Sequence, residues 1–224
     1  QIAINLYRTA RKSCSFLFFV LFFDIIFCYN VVNYVLANEY HLLNIQGDNV
    51  IMEKNGCCFT GHRPKSLPFG NDESAPECEK LKELLRENIE RQITENGITH
   101  FISGMAMGVD IYAAEIVLQL KEKYPHITLE CAIPCETQAN RWNDSWRNRY
   151  FDIIYRADTA KTLQTHYTYD CMMKRNKYMV DNSNVVIAVW NGEKSGTGNT
   201  VDYALKNGKK VIIIDPNTLI DACK

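Results

Sequence analysis

From Gly56 to Ile214 short runs of apolar and β-branched residues alternate with longer amphipathic stretches, and glycine-bearing loops follow several of the runs. That alternation constrains the fold more than any other feature. Strand-like runs separated by helices specify a mainly parallel sheet covered on both faces, so the expected class is α/β, doubly wound and Rossmann-like. The runs are Gly56–Thr60, Ile98–Ser103, Ile127–Ile133, a weak one at Lys161–Leu163, Val185–Trp190 and Lys210–Ile214. Between them, Leu81, Leu84, Leu85, Ile89 and Ile93 fall on one face of a helix predicted over Glu77–Glu95, which Gly97 ends. A second helix is predicted over Val109–Tyr124, closed by Pro125. A third spans Thr137–Ala157 with Trp142, Trp146, Tyr150 and Ile153 on one face. Helices at Tyr169–Asp181 and Thr200–Lys206 complete the set, with Gly208 as the last C-cap.

The residues before this pattern are of another kind. Six of the ten Phe lie between Phe16 and Phe27, and from Cys14 to Ala37 the only charged residue is Asp24. Arg8, Arg11 and Lys12 precede this apolar stretch, which is long enough to cross a bilayer. Two readings follow for residues 1–51. They are translated upstream sequence, with Met52 as the native start, or they are a membrane anchor over residues 13–37. The first is the expectation, because Phe, Ile, Asn, Tyr and Leu are what AT-rich DNA yields without selection. Residues 52–224 then form one Rossmann-like domain, cytoplasmic under the first reading and membrane-anchored under the second.

Composition removes several function classes. With 25 Lys and Arg against 26 Asp and Glu, the net charge of −1 lacks the basic excess of a protein that lives on nucleic acid. The nine Cys show no CxxC and no zinc-type spacing with His, so they read as reduced thiols used as small apolar residues. No metal site is expected.

In doubly wound sheets ligands bind beyond the carboxyl ends of the strands, which directs attention to three loops. The first is Gly61-His62-Arg63-Pro64, where Gly allows a tight turn and Arg offers a planar fork for phosphate. The second runs from Ser103 to Asp110 and contributes Ser103, Gly104, Met105, Gly108 and Asp110. Its glycines precede a helix whose N-terminal amides attract anions, and Asp110 is placed to cap that helix. The third is Ser195-Gly196-Thr197-Gly198-Asn199-Thr200, a second glycine- and hydroxyl-rich cradle, with Asp202 one turn further on. Trp142 and Trp146 read as a packing face in preference to a base-stacking platform.

Taken together, CCFTGHRP, HFISGMAMGVD, ITLECAIPCE and MMKRNKYMVDNSNVVIAVW resemble the SLOG superfamily, the Rossmann-like group that contains DprA and the LOG phosphoribohydrolases. Within it they look like the bacterial and prophage YpsA/YoqJ branch. The resemblance runs from about residue 56 to 216, and the first 51 residues have no counterpart in it. Gly61 and Arg63 match the GxR after strand one of DprA-like domains, and Ser103, Gly104, Ala106, Gly108 and Asp110 match its SGxAxGxD. Arg175 and Asn176 match an Arg-Asn pair, with Ser183 at a trailing Ser. Ser195, Gly196, Thr200 and Ala204 match SGxxxTxxxA. In LOG enzymes the last loop reads PGGxGTxxE, with the Glu serving in N-glycosidic hydrolysis. Here Gly196, Gly198 and Asp202 occupy matching positions, but Asn199 replaces the Thr, Asp replaces the Glu and the leading Pro-Gly is absent.

The resemblance implies a protein that binds a small phosphorylated, nucleotide-like ligand, such as a nucleotide, NAD or ADP-ribose, in a sensor or regulatory role. Gly104, Gly108, Gly196 and Gly198 would admit phosphates to backbone amides. Arg63 and Arg175 would neutralise them, and Asn176, Thr197 and Thr200 would bond ribose or phosphate oxygens. Homo-oligomeric assembly is compatible with it. The alternative is a phosphoribohydrolase-like N-glycosidase with Asp202 as catalytic acid or nucleophile. A second alternative, DprA-like single-stranded DNA binding through Arg147, Arg149, Lys174, Arg175 and Lys177, meets the balanced charge as an obstacle.

Overall fold

The computed structural model describes residues 55–223. The extension at 1–51, its anchor alternative over 13–37, and Met52 lie outside the described residues. Among the described residues, no helix is long and apolar enough to cross a membrane.

The chain runs β1 (Gly56–Gly61), α1 (Pro76–Asn96), β2 (His100–Ser103), α2 (Val109–Lys123), β3 (Thr128–Ile133), α3 (Asp144–Arg156), β4 (Thr159–Thr162), α4 (Cys171–Asp181), β5 (Val185–Val189), α5 (Gly196–Lys206), β6 (Lys210–Asp215) and β7 (Ile220–Cys223). One sheet holds all seven strands in the order β4-β3-β2-β1-β5-β6-β7. Every pairing is parallel except β6 with β7. The fold is α/β, doubly wound and Rossmann-like.

Side-chain alternation along the buried strands builds two cores. Cys57 and Phe59 of β1, with Val185, Ile187 and Val189 of β5, join the cluster formed with α1, α2 and α3. Cys58, Val186 and Ala188 point the other way and pack with Met179 and Val180 of α4 and Val201 and Ala204 of α5. Both faces of these strands are covered, which is why Val185–Val189 is apolar throughout instead of alternating. The Cys reading fits this packing: Cys57, Cys58, Cys78, Cys131, Cys135 and Cys171 are free and buried. Burial pushes the Cys58 and Cys131 thiols up to about 12, away from the reactive thiolate.

The differences from the sequence expectations have local causes. α3 begins at Asp144, later than the expected Thr137, because the Asn143 side chain accepts the Trp146 amide at 3.0 Å and fixes the start there. α5 begins at Gly196, earlier than the expected Thr200, because the Ser195 hydroxyl accepts the Gly198 amide at 3.1 Å. The third glycine cradle is therefore the first turn of a helix. α2 is capped at Gly108, and Asp110 lies within its first turn, so the expectation that Asp110 caps the helix is corrected. Strand β7, short and largely exposed, carries too weak a pattern to be read from sequence.

The chain leaves β1 outward through β2, β3 and β4, then returns to β1's other side with β5. The switch point lies between β1 and β5, where Gly61 pairs with Val189. Two close approaches shape its mouth. A Cβ on Gly61 would stand 2.5 Å from the Val109 Cβ, and one on Gly108 would stand 2.8 Å from the His62 carbonyl oxygen. The turn after β1 and the start of α2 thus interlock through two missing side chains. Gly61→Ala should lower the unfolding free energy by about 1–3 kcal/mol in urea titrations, the range for overpacking. Combined with Val109→Gly, which removes the Cβ and both Cγ atoms, it should cost less than the sum of the two single losses, whereas additive losses would contradict the interlock.

Candidate functional site

Beyond the carboxyl ends of β1 and β5 lies an open cleft of ≈250 Å³. Gly61, His62 and Arg63 reach it from the turn after β1, Asp110 from α2, Arg175 and Asn176 from α4, and Ser195, Gly196 and Thr197 from the start of α5. All nine were read from the sequence. Thr60, Ser66, Ala106 and Met172 also line it; Ala106 is a motif position in the sequence, and the other three were not read as site residues. Met172 had a usable signal, since it precedes Arg175 and Asn176 by three and four residues and so shares their helix face. Thr60 and Ser66 are hydroxyls flanking the first motif.

The other sequence candidates lie outside the lining. Ser103, Gly104 and Met105 are buried behind it. The Ser103 hydroxyl donates to the Asp110 carbonyl at 2.8 Å and accepts the Met105 amide at 3.1 Å, holding Met105 at a positive φ of 57°. Gly108 packs on the turn after β1, Gly198 packs near Trp190, and Asn199 is exposed. Thr200 is buried beneath the cleft, in the hydrogen-bond chain described below. Asp202 is exposed on α5, away from the cleft lining.

At the base of the cleft, Arg175 and Asp110 form a buried ion pair at 3.5 Å, with side chains 6% and 7% exposed. Burial raises the Asp110 carboxyl above its ordinary value, while Arg175, the Ala106 amide and Arg63 oppose the rise. Burial likewise pulls the Arg175 guanidinium down and Asp110 holds it up. Arginine nevertheless keeps its proton. Two of its nitrogens bond within the protein: Nη1, which faces Asp110, also donates to the Gly104 carbonyl, and Nε donates to Asn176 Oδ1 at 2.8 Å. Asn176 Nδ2 donates to Thr200 Oγ1 at 2.8 Å, and that hydroxyl donates to the Gly196 carbonyl at 2.9 Å. A continuous hydrogen-bond chain therefore runs from the β2–α2 loop, through α4, to the first turn of α5. On the opposite side, His62 Nε2 lies 3.0 Å from Asn191 Oδ1 and ties the turn after β1 to the loop after β5.

The two helix N-termini at this end of the sheet differ. α2 carries Asp110 in its first turn, where the carboxylate accepts the Ala106 amide at 3.3 Å. The anion favoured at that terminus is supplied by the protein itself. α5 has no acidic residue in its first turn. Its Gly198 amide is taken by Ser195 Oγ and its Asn199 amide by the Ser195 carbonyl. The Gly196 and Thr197 amides precede the first intrahelical donor, the Asn199 amide, and both residues line the cleft. Arg63 stands exposed at the mouth, and its side chain makes no hydrogen bond or ion pair among the described residues.

Comparison with known proteins agrees with this arrangement of motifs. The model of the YpsA family, described as the YspA SLOG family, matches residues 57–219. The chain belongs to this SLOG family. Its relatives include the uncharacterized SPbeta prophage-derived protein YoqJ of Bacillus subtilis (strain 168), 35% identical over 143 residues that cover 58% of this chain and 84% of that protein. The UPF0398 protein BH1768 of Halalkalibacterium halodurans is 29% identical over 131 residues, covering 56% of this chain and 68% of that one. Among solved structures, DNA processing protein A (DprA) of Helicobacter pylori, described for its single-stranded DNA binding mode, aligns with TM-score 0.49 at 20% identity. That alignment covers 75% of this chain and 69% of the other. DprA of Streptococcus pneumoniae aligns with TM-score 0.49 at 15% identity over 72% of this chain, which spans half the length of that protein.

The buried pair makes a quantitative demand on this SLOG site. Arg175→Leu should destabilise the fold by about 3–5 kcal/mol, because Asp110 is left buried and uncompensated. Asp110→Leu should cost a comparable amount. In chemical unfolding, the double variant should lose less than the sum of the two single losses, whereas strict additivity would contradict the coupling.

Proposed function

We propose that this SLOG domain binds a small phosphorylated, nucleotide-like ligand in the switch-point cleft and serves as a sensor or regulatory module. The observation that carries the reading is the open start of α5 opposite Arg63. Gly196 and Thr197 offer amide donors with the positive end of the helix dipole behind them, and Arg63 brings an uncommitted guanidinium to the same cleft. Hydroxyls of Thr60, Ser66, Ser195 and Thr197 add groups suited to phosphate and sugar oxygens. A nucleotide, NAD or ADP-ribose carries both kinds of oxygen.

Binding is favoured over N-glycosidic hydrolysis by the placement of the carboxylates. Asp202 is exposed and outside the lining, and Asp110, the carboxylate within it, is engaged by Arg175. A single bound anion also suits the net charge of −1 better than a long polyanion does.

Calorimetry of the purified protein against NAD, ADP-ribose and nucleoside phosphates should detect at least one ligand. Arg63→Ala should weaken that ligand about tenfold or more, as expected for loss of one charge-assisted phosphate contact. The substitution should leave stability nearly unchanged, because Arg63 is exposed. Absence of binding across the panel, or a ligand indifferent to Arg63→Ala, would overturn the reading.

A further inference from the structure

The cleft is small and has no Phe, Tyr or Trp in its lining. At ≈250 Å³ it falls below the roughly 300–1,000 Å³ of sites that engulf a drug-sized ligand. Its lining is dominated by hydroxyls, charged groups and backbone, which suits a phosphate and a sugar and offers an attached base no Phe, Tyr or Trp to stack on. Resting on the ligand reading above, the geometry points to Tyr167 and Tyr169 as the platform on which the base of a nucleotide stacks.

Three observations support this assignment. Tyr167 is 63% exposed and Tyr169 98%, and neither makes a hydrogen bond or ring contact among the described residues. A lone exposed aromatic is unremarkable, but two separated by one residue, neither with a protein partner, leave their ring faces open to a flat apolar ring. Their position in the chain is the second observation. They precede α4 directly, and α4 supplies Met172, Arg175 and Asn176 to the cleft, so Tyr169 stands three residues from a lining side chain.

The segment that carries them is also pre-shaped. The Cys171 amide donates to the Thr168 carbonyl at 3.1 Å, closing a turn around Tyr169. Gln164 Nε2 donates to the His166 carbonyl and to Thr168 Oγ1, the latter at 2.8 Å, and Thr168 Oγ1 donates to Asp170 Oδ1 at 2.7 Å. The Glu136 amide donates to the Thr165 carbonyl at 3.3 Å and anchors the segment to the loop after β3. Other aromatic side chains beyond these strand ends are already engaged. Trp142 packs edge-on against Tyr150 at 5.3 Å, Trp146 lies tilted against Tyr112 at 5.9 Å, and Trp190 donates its indole N–H to the Glu193 carbonyl at 2.7 Å.

The test compares adenosine 5′-monophosphate with ribose 5-phosphate by calorimetry on the full chain and on Tyr167→Ser/Tyr169→Ser. Base–aromatic stacking predicts that the wild type binds the nucleotide about tenfold or more tightly than the sugar phosphate. The double variant should bring nucleotide affinity down to the sugar phosphate level while leaving ribose 5-phosphate affinity unchanged. Tyr167→Phe/Tyr169→Phe should retain the difference. If ribose 5-phosphate binds but the double variant holds the nucleotide as tightly as wild type, the platform is refuted and the phosphate site stands. If neither compound binds, the platform falls, and the ligand reading is decided by the NAD, ADP-ribose and nucleoside phosphate panel.

Discussion

A guanidinium buried at the end of a parallel sheet is tolerated only if its charge and its donors are answered by the protein. Arg175 is answered by Asp110, by the Gly104 carbonyl and by Asn176. These contacts bind α4 to the β2–α2 loop, although the two belong to opposite faces of the sheet. The chain continues through Asn176 and Thr200 to Gly196, so the start of α5 is positioned by the same arginine. Burying such a pair contributes little net stability compared with apolar packing, but breaking it is severe. Its value lies in fixing where three loops end.

That division assigns different work to residues of similar type. Arg175 through Nη1 and Nε, with Asn176, Ser103 and Thr200, bonds within the protein and shapes the site. Arg63 and the first turn of α5 face the cleft with donors to spare. The two helix N-termini divide in the same manner, since α2 receives a carboxylate from its own first turn and α5 does not. An anion entering the cleft therefore finds one unfilled helix terminus and one uncommitted cation.

Much of this was legible in the sequence, and the limits have physical reasons. The strand and helix order followed from apolar runs alternating with 3.6-period stretches, a pattern imposed by a sheet covered on both faces. The loops that meet at the cleft were marked by glycines and hydroxyls after strands, and by the family motifs on which Arg175 and Asn176 fall. Sequence spacing could not show which way a side chain turns. Gly104, Gly108 and Gly198 read as phosphate-approaching glycines, yet Gly104 makes room for Arg175, Gly108 for the His62 turn, and Gly198 lies against Trp190. The start of α5 was missed because glycine disfavours helix, and the Ser195 cap overrides that local tendency. Asp202 sits at a catalytic position of the LOG pattern, but α5 leaves it exposed outside the cleft.

The central claim is that the anion is received at the start of α5 and not at the β2–α2 loop. Amide NMR of the ¹⁵N-labelled protein, titrated with adenosine 5′-monophosphate, tests it most directly. The account predicts saturable shifts greatest at Gly196 and Thr197, with smaller changes at Ser103, Gly104 and Met105, whose groups are buried and committed. Saturable shifts centred on Ser103–Met105, with Gly196 and Thr197 unmoved, would contradict it.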